Sequence, residues 1–360
     1  MQSLTFESSY EHILKSNDFE SLRIVRDQVH EMLRMHPLLD DPRHMNLELN
    51  QLHDAFIRRS IVISENLLSA QGLGSPPISY AFILFGSGGR AEQTLWSDQD
   101  NGLIYDEPDK AHAEIVHTYF KLLSNQIVDG LIQLGYPPCE GKVLCSNPVW
   151  RKTLTAWRLT VQEWLMDPNW ENIRNLLILA DFRCLYGSDQ LVFELRNEFL
   201  DFIKAHPPIL ESILRNTLHR KSSLGAFGRL VTERYGEDAG GIDIKYGSYI
   251  PMVNGIRLLA IQAGLHETST LERILALVKQ QLISAQNGEE WTKAFHLNLY
   301  MRSITPFQFK EGIYTSRGKL TAEQLTKPIR QDLKFILHVG IDLQKYVKKQ
   351  VHDVLEQIEQ

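Results

Sequence analysis

The fold is decided by residues 80–105, which read YAFILFGSGGRAEQTLWSDQDNGLIY. The first six residues form a short apolar run, rich in aromatic residues, that ends at Gly86 and is typical of a buried β-strand. A polar, glycine-rich segment follows. A second apolar run, Gly102–Tyr105, is typical of another strand. The stretch therefore predicts two strands joined by a polar connection.

The start of this connection has the residue types that bind phosphate. Glycine lets a backbone approach a ligand closely, and free N–H groups in such a turn form a nest for phosphate oxygens. We predict that Gly86, Ser87, Gly89 and Arg90 bind phosphate, with Ser87 adding a hydroxyl and Arg90 a fixed charge. Glu92 is expected to hold Arg90 in place. The segment matches neither the Rossmann pattern nor the Walker pattern.

Asp98 and Asp100 precede the second strand and are separated by one residue. Side chains two positions apart in an extended segment point to the same side. Two carboxylates beside a phosphate-binding turn suit Mg²⁺ or Mn²⁺ ions that bridge to a nucleoside triphosphate. An isolated Asp-x-Asp is more often a solvated loop or a helix cap. The conjunction of strand, Gly-Ser turn, aspartate pair and second strand favours the metal site.

Apolar periodicity divides the remainder of the chain. Residues 1–70 read as helical, residues 71–205 contain the strands, and residues 206–360 read as mainly helical. Lys142–Cys145 is a plausible third strand, and residues 150–200 are expected to be helical. We therefore predict an α+β fold: a small mixed β-sheet core flanked by an N-terminal helical region and a C-terminal helical-bundle domain.

The composition narrows the classes of partner and the location. The net charge is −6, and 43% of the residues are hydrophobic. The negative net charge favours a nucleotide, a protein or a small molecule over long nucleic acid as the main partner. The three cysteines form no CxxC pair, and no apolar run reaches the length of a membrane span. The N-terminus does not resemble a signal peptide, so we expect a bacterial-type cytoplasmic protein without a membrane partner.

The positions Gly86, Ser87, Asp98 and Asp100 resemble the signature of the nucleotidyltransferase superfamily that includes DNA polymerase β. The surrounding residues are similar to the branch typified by the bacterial PII-protein uridylyltransferase and the glutamine-synthetase adenylyltransferase. They resemble most a family of signal-transduction nucleotidyltransferases, often fused to CBS and cyclic-nucleotide-binding domains. Further residues that match that family are Glu92-Gln93, Ser97 to Asn101, Cys139-x-Gly141, Ser146-Asn-Pro148, Trp150-Arg151, Asp181-x-Arg183, Ile242-Asp-Ile-Lys245 and Ile256 to Ala260.

This resemblance implies a metal-dependent enzyme with residues 71–205 as its nucleotidyltransferase domain. It would transfer a nucleoside monophosphate from an NTP to a hydroxyl and release pyrophosphate. A regulatory protein is the acceptor that the resemblance suggests, in a uridylyl- or adenylyltransferase-like reaction. The alternative is a catalytically weak or inactive nucleotide-binding module that regulates a partner through its helical domains.

Members of the superfamily often supply a third carboxylate from a later strand. Asp181 is the candidate here for a third catalytic residue, and Glu140 is the other. The alternative, of equal weight, is that Asp181 forms a structural salt bridge with Arg183 or with a helix residue. Arg151 and Asn147 are expected to line the nucleotide pocket, with Arg151 near phosphate. The alternative is that Asn147 belongs to a simple turn and Arg151 to a surface helix.

Overall fold

The computed structural model describes residues 6–35, 42–217, 224, 230–310 and 313–359. Within it the chain divides into two compact units. The first unit combines Met1–Thr160, Phe182–Leu195 and Gln308–Thr315, and the second combines Val161–Asp181, Arg196–Phe307 and Ser316–Gln360. The N-terminal helices thus belong to the same unit as the strands of residues 80–105.

A four-stranded mixed sheet forms the centre of the first unit. Its strands are β1 (Tyr80–Leu84), β2 (Asn101–Tyr105), β3 (Arg151–Thr153) and β4 (Arg183–Gly187), in the order β3-β2-β1-β4. Strand β1 pairs antiparallel with β2 and with β4, and β2 pairs parallel with β3. The two strands predicted from residues 80–105 are confirmed, as is the small mixed sheet.

Helices cover the two central strands, since every residue of β1 and β2 is buried. The helices of this part of the chain are α1 (Phe6–Lys15), α2 (Phe19–Met35), α3 (Pro42–Ala70), the single turn α4 (Gly86–Gly89), α5 (Ala113–Gln133), α6 (Leu154–Met166) and α8 (Asp189–Ala205). Helix α5 packs on α3 and α2. Burial on both faces explains why β1 and β2 are continuous apolar runs instead of alternating ones.

Two predictions about the other strands are wrong. Lys142–Cys145 is not a strand, because its contacts with β2 are single hydrogen bonds to Asn101 instead of a ladder. Residues 150–200 are not wholly helical, because they contain β3 and β4. Both strands lack an apolar run: β3 has three residues, and only Leu185 of β4 is fully buried.

The second unit is mainly helical, and the C-terminal region is therefore helical as the predicted fold class requires. Its elements include α7 (Trp170–Leu179), α9 (Ile209–Thr217), α10 (Ile250–Gln262), α11 (Thr270–Lys279), α12 (Ala285–Ser303) and α13 (Lys327–Glu359), with β5 (Ile242–Asp243) paired to β8 (Lys319–Leu320). Helix α10 is buried along most of its length and packs against α9, α11 and α13. Strands β6 (Phe307–Lys310) and β7 (Ile313–Ser316) pair as a separate ribbon, most of which belongs to the first unit. None of the helices described has the length and apolar character that a membrane crossing needs.

A buried ion cluster lies within the second unit around Asp181, which is 0% exposed. Arg257 of α10 donates to both carboxylate oxygens of Asp181. Arg273 of α11 donates to one of them at 2.8 Å and to the carbonyl oxygen of Ala180, also at 2.8 Å. Burial lowers the pKa of the neighbouring Arg196 to about 9, with the charge of Arg273 as the next cause. The carboxylate of Asp181 thus pairs with two buried guanidinium groups, those of Arg257 and Arg273.

We expect Asp181→Ala to destabilise the second unit by about 3–5 kcal/mol, because it leaves buried guanidinium groups without their counter-ion. Chemical denaturation of the full chain measures the change. Asp342→Ala is the control, since Asp342 forms an exposed pair with Lys345 and its removal should change stability by less than about 1 kcal/mol. Equal denaturation midpoints for the two variants would contradict the role given to Asp181.

Candidate functional site

Strand β1 ends at the single turn α4, which contains the glycines predicted to bind phosphate. Gly86 has a φ of +53°, a conformation that other residues rarely adopt. The N–H of Gly89 donates to the carbonyl oxygen of Phe85 at 2.8 Å. The N–H of Ser87 has no acceptor among the residues described, as expected at the start of a helix. Ser87 is half-buried, so its N–H and hydroxyl are the donors that this turn offers to a ligand.

The four residues from Asp98 to Asn101 alternate between the interior and the surface. Gln99 is 4% exposed and Asn101 is 0% exposed, whereas Asp98 and Asp100 are only partly buried. The chain is extended here, because Gln99 forms a parallel bridge and β2 begins at Asn101. The alternation of an extended chain therefore directs the two carboxylates to the same side.

Hydrogen bonds fix this alternation. The N–H of Gln99 donates to the carbonyl oxygen of Pro137 at 2.9 Å, and the N–H of Asn101 donates to that of Val143 at 3.0 Å. The side-chain oxygen of Asn101 accepts the N–H of Cys145 at 2.8 Å. A one-residue slip would bury the carboxylates and expose two amides that now have partners.

Gly86 and Asp100 bring the turn and the aspartate pair into contact. A Cβ atom on Gly86 would lie 2.5 Å from Oδ2 of Asp100, closer than a side chain tolerates. Only glycine therefore accommodates both the positive φ and the neighbouring carboxylate. The contact explains physically why a glycine at the end of β1 accompanies an aspartate ahead of β2.

Cys139 joins the two aspartates, and its place there could not be read from the sequence. One ligand atom from each of Asp98, Asp100 and Cys139 lies within 4.8 Å of the others, and all three residues are partly buried. Burial and the carboxylate of Asp100, to which the thiol is hydrogen-bonded, raise the pKa of Cys139 to about 12. The two carboxylates fit Mg²⁺ or Mn²⁺, which prefer oxygen ligands. The Cys-x-Gly motif at Cys139 was visible in the sequence. The sequence does not show that this segment lies beside Gln99 in the fold.

Helix α3 supports the loop that connects α4 to Asp98. Asn50 accepts the N–H of Gln93 at 2.8 Å through its side-chain oxygen. His53 lies 3.0 Å from the carbonyl oxygen of Thr94 and 2.7 Å from the hydroxyl of Tyr136. A neutral imidazole satisfies both contacts when Nε2 donates to the carbonyl and Nδ1 accepts from the hydroxyl. The loop thus depends on a helix that precedes it in the chain.

Arg183 of β4 links the same helix to the turn α4. Its Nε donates to the carbonyl oxygen of Gly88 at 2.9 Å, and its two terminal nitrogens donate to the carboxylate of Asp54 at 2.9 and 2.6 Å. This bidentate geometry is the strongest arrangement for an arginine and a carboxylate. Arg183 is therefore not the salt-bridge partner of Asp181, whereas the alternative of a helix residue is confirmed by Arg257 and Arg273.

Arg90 lies in the interior and is 3% exposed. Its Nε donates to a carboxylate oxygen of Glu92 at 2.8 Å, and Glu92 is 2% exposed. The pair holds the loop after α4 in shape, as a buried and hydrogen-bonded ion pair can. The predicted contact of Arg90 with phosphate stays a prediction.

Arg151 begins β3 and is half-buried. One of its terminal nitrogens donates to the carbonyl oxygens of Cys145 and Ser146, at 3.1 and 2.9 Å. Asn147 caps the short helical turn that follows it by accepting the N–H of Val149 at 3.1 Å. The alternative that placed Arg151 on a surface helix is wrong, and its role near phosphate stays a prediction.

The two carboxylates expected as a third catalytic group, Asp181 and Glu140, have different surroundings. Asp181 belongs to the buried ion cluster of the second unit, where both of its oxygens accept hydrogen bonds from arginines. These contacts support the structural alternative for Asp181, and its catalytic role stays a prediction. Glu140 is exposed and lies outside the group formed by Asp98, Asp100 and Cys139 among the described residues.

An aromatic contact secures the loop from its other side. Trp96, two residues before Asp98, stacks on Tyr314 with a centroid distance of 4.3 Å and an interplanar angle of 28°. His30 of α2 meets the edges of both rings, at 4.8 and 6.0 Å. Tyr314 belongs to the segment Gln308–Thr315, which clusters with the first unit although it is distant in sequence.

Comparison with protein families gives a match on each side of residue 200. Residues 28–171 match the family described as "Putative nucleotidyltransferase DUF294". Residues 207–351 match its companion, described as "Putative nucleotidyltransferase substrate binding domain". The chain belongs to this nucleotidyltransferase family. No curated protein matches the chain.

Family membership connects the geometry of this site with a class of reaction. The first match contains the turn α4, both aspartates and Cys139, and it also contains the α3 residues that support the loop. The second match covers most of the helical unit, and the family describes this part as a substrate-binding domain. Nucleotidyltransferases generally use divalent metals, and the group of Asp98, Asp100 and Cys139 offers a place for one.

We expect Gly86→Ala to weaken Mn²⁺ binding strongly, because the new Cβ displaces the carboxylate of Asp100. The matched control is Gly74→Ala. Gly74 also has a positive φ, +73°, but a Cβ atom added there would meet nothing within 4 Å among the described residues. Both variants carry a backbone cost of about 1–2 kcal/mol. Calorimetric titration separates them, and equal Mn²⁺ affinities would contradict the contact.

The pH dependence of stability should report on His53. Burial, followed by the charge of Arg26, lowers the pKa of His53 to about 3. Between that value and its ordinary value of 6.5, the unfolded chain binds a proton that the folded chain does not. The contribution of neutral His53 is therefore complete above pH 6.5 and is lost as the pH falls toward 3.

We expect His53→Gln to reduce the slope of unfolding free energy against pH between about pH 6 and 4 by up to about 1.4 kcal/mol per pH unit. His352→Gln, at an exposed position of α13, should leave the slope unchanged. Denaturant titrations at a series of pH values provide both slopes. A slope in the His53 variant that equals that of the parent chain would disprove the assignment.

Proposed function

We propose that the protein is a metal-dependent nucleotidyltransferase that uses an NTP and Mg²⁺ or Mn²⁺. An acceptor hydroxyl oxygen forms a bond to the α-phosphorus, and the bond from that phosphorus to the oxygen bridging to the β-phosphate breaks. Pyrophosphate leaves, and the hydroxyl proton passes to solvent. The observation that carries the proposal is the outward pair Asp98 and Asp100 beside the turn at Gly86.

In this proposal each part of the site has a separate task. Asp98 and Asp100 hold the divalent ion, which supplies charge neutralisation at the phosphates. Ser87 and the N–H groups at the start of α4 contact phosphate oxygens, and Gly86 and Gly89 allow the close approach. Arg90, which Glu92 holds in place, contributes its positive charge to phosphate binding. Arg151 of β3 contacts the phosphates with the nitrogens that do not bond the carbonyl oxygens of Cys145 and Ser146.

The acceptor is a hydroxyl on a regulatory protein, such as a tyrosine, in a reaction like that of the PII-protein uridylyltransferase or the glutamine-synthetase adenylyltransferase. The resemblance of residues 86–101 to that bacterial branch supports this part of the proposal. We place the protein in a bacterial cytoplasm, as part of signal transduction. The C-terminal helical domain, by its family description, is the part that would present the substrate.

A second candidate function is nucleotide-dependent regulation without turnover. It is favoured by the donor set, because among the described residues the group contains a thiol and no third carboxylate. Under this alternative the nucleotide binds at Asp98 and Asp100, and the helical domain transmits its presence to a partner.

Incubation of the purified chain with each α-labelled NTP, Mg²⁺ or Mn²⁺ and a cell lysate tests the proposal. We expect transfer of label to a protein acceptor in the parent chain. Asp98→Asn and Asp100→Asn should reduce it by on the order of 100-fold or more, because each removes a charge that holds the metal. Asp106→Asn is the matched control, since Asp106 is an exposed aspartate at the other end of β2.

The outcomes separate the two candidate functions. Label transfer that depends on Asp98 and Asp100 but not on Asp106 supports the transferase. Absence of transfer with every NTP, together with retained NTP binding, would reject the transferase and leave the regulatory module. Full transfer in both asparagine variants would show that the chemistry lies elsewhere in the chain.

A further inference from the structure

We propose that Cys139 is a third protein ligand of the Asp98–Asp100 site and gives it a preference for thiophilic divalent ions, Zn²⁺ and Cd²⁺, over Mg²⁺. The inference rests on the proposed function only in taking the two aspartates as a metal site. It adds a specificity-determining residue, and it implies that thiophilic ions compete with the metal that supports catalysis.

The backbone places Cys139 opposite the aspartates. Gln99 forms a parallel bridge with Pro138, and its N–H donates to the carbonyl oxygen of Pro137 at 2.9 Å. Residues on either side of a bridged pair point away from the bridged side chains. Asp98 and Asp100 on one segment therefore face the same way as Cys139 on the other.

A tight turn then fixes the position of Cys139. The N–H of Lys142 donates to the carbonyl oxygen of Cys139 at 2.9 Å, and Lys142 itself has a φ of +54°. The chain continues to Val143, whose carbonyl oxygen accepts the N–H of Asn101 at 3.0 Å. Backbone hydrogen bonds before and after Cys139 thus fix the position from which its side chain extends.

The donor set has the number of protein ligands that an open zinc site uses. Two carboxylates and a thiol provide three protein ligands, which leaves a fourth position for water or a phosphate oxygen. Sulfur ligands favour soft ions such as Zn²⁺ and Cd²⁺, whereas Mg²⁺ requires oxygen ligands and keeps its waters. On coordination the thiol transfers its proton to the buffer, and the sulfur lone pair forms the bond to the metal.

The other cysteines differ from Cys139 in their surroundings. Cys145 is fully buried, and its backbone N–H donates to the side-chain oxygen of Asn101. Cys184 lies on β4, is half-buried like Cys139, and has a neighbouring carboxylate in Asp189. Burial raises the pKa of Cys184 to about 12 as well, so it matches Cys139 in exposure and acidity but lies outside the ligand group.

Titration of the full chain with Cd²⁺, without nucleotide, tests the inference through the ultraviolet charge-transfer absorption of a cadmium–thiolate bond. We expect one equivalent of Cd²⁺ to produce the band in the parent chain and in Cys184→Ser. Cys139→Ser should lose the band and bind Cd²⁺ at least tenfold more weakly, while keeping its Mn²⁺ affinity within about threefold. Asp100→Asn should weaken Cd²⁺ binding at least tenfold.

Cys139→Asp provides a second variant with three carboxylates. It should reverse the preference, binding Mn²⁺ at least tenfold more tightly than Cys139→Ser does and producing no cadmium–thiolate band. Zn²⁺ should displace Cd²⁺ from the parent chain, and millimolar Mg²⁺ should not. Circular dichroism establishes that each variant is folded before its affinity is compared.

An unchanged band in Cys139→Ser, or its loss in Cys184→Ser instead, would overturn the proposal. So would a Cys139→Asp variant with the Mn²⁺ affinity of Cys139→Ser. These results are independent of nucleotidyl transfer, because no nucleotide is present. A band without any label transfer would support Cys139 while rejecting the transferase, and transfer without a band would do the reverse.

Discussion

The site depends on one constraint: the alternation of buried amides and outward carboxylates between Asp98 and Asn101. In the register seen here, the polar groups of Gln99 and Asn101 find their partners mainly in the segment from Tyr136 to Cys145. Leaving such buried groups without partners costs about 1–3 kcal/mol each. The interior residues therefore direct the aspartates outward, and the same segment brings Cys139 to them.

A second set of interactions fixes the conformation of the segment before Asp98. Asn50, His53 and Asp54 lie along one face of α3 and act on the loop through Gln93, Thr94 and Arg183 respectively. The stacked ring of Tyr314 meets Trp96 from the other side. Binding sites that must hold charges in fixed positions benefit from such support, because no reorganisation is then needed when the ligand arrives.

The sequence was informative where chemistry and periodicity coincide. The buried strands, the positive-φ glycine and the aspartate pair all lie within residues 80–105, so local patterns were enough to predict them. The surroundings of Asp181 could not be read from the sequence, because its partners Arg257 and Arg273 lie 76 and 92 residues away. Cys139 and Asp54 were missed for the same reason, since only the tertiary structure shows which segment lies beside the loop.

The central claim is that Asp98 and Asp100 together hold a divalent ion. Its most direct test is anomalous X-ray diffraction from crystals of the full chain grown with Mn²⁺ and a non-hydrolysable NTP analogue. The account predicts an anomalous peak within bonding distance of both carboxylates, with phosphate oxygens of the analogue on the same ion. A Mn²⁺ peak bound elsewhere, with analogue present and the two carboxylates free of metal, would contradict it.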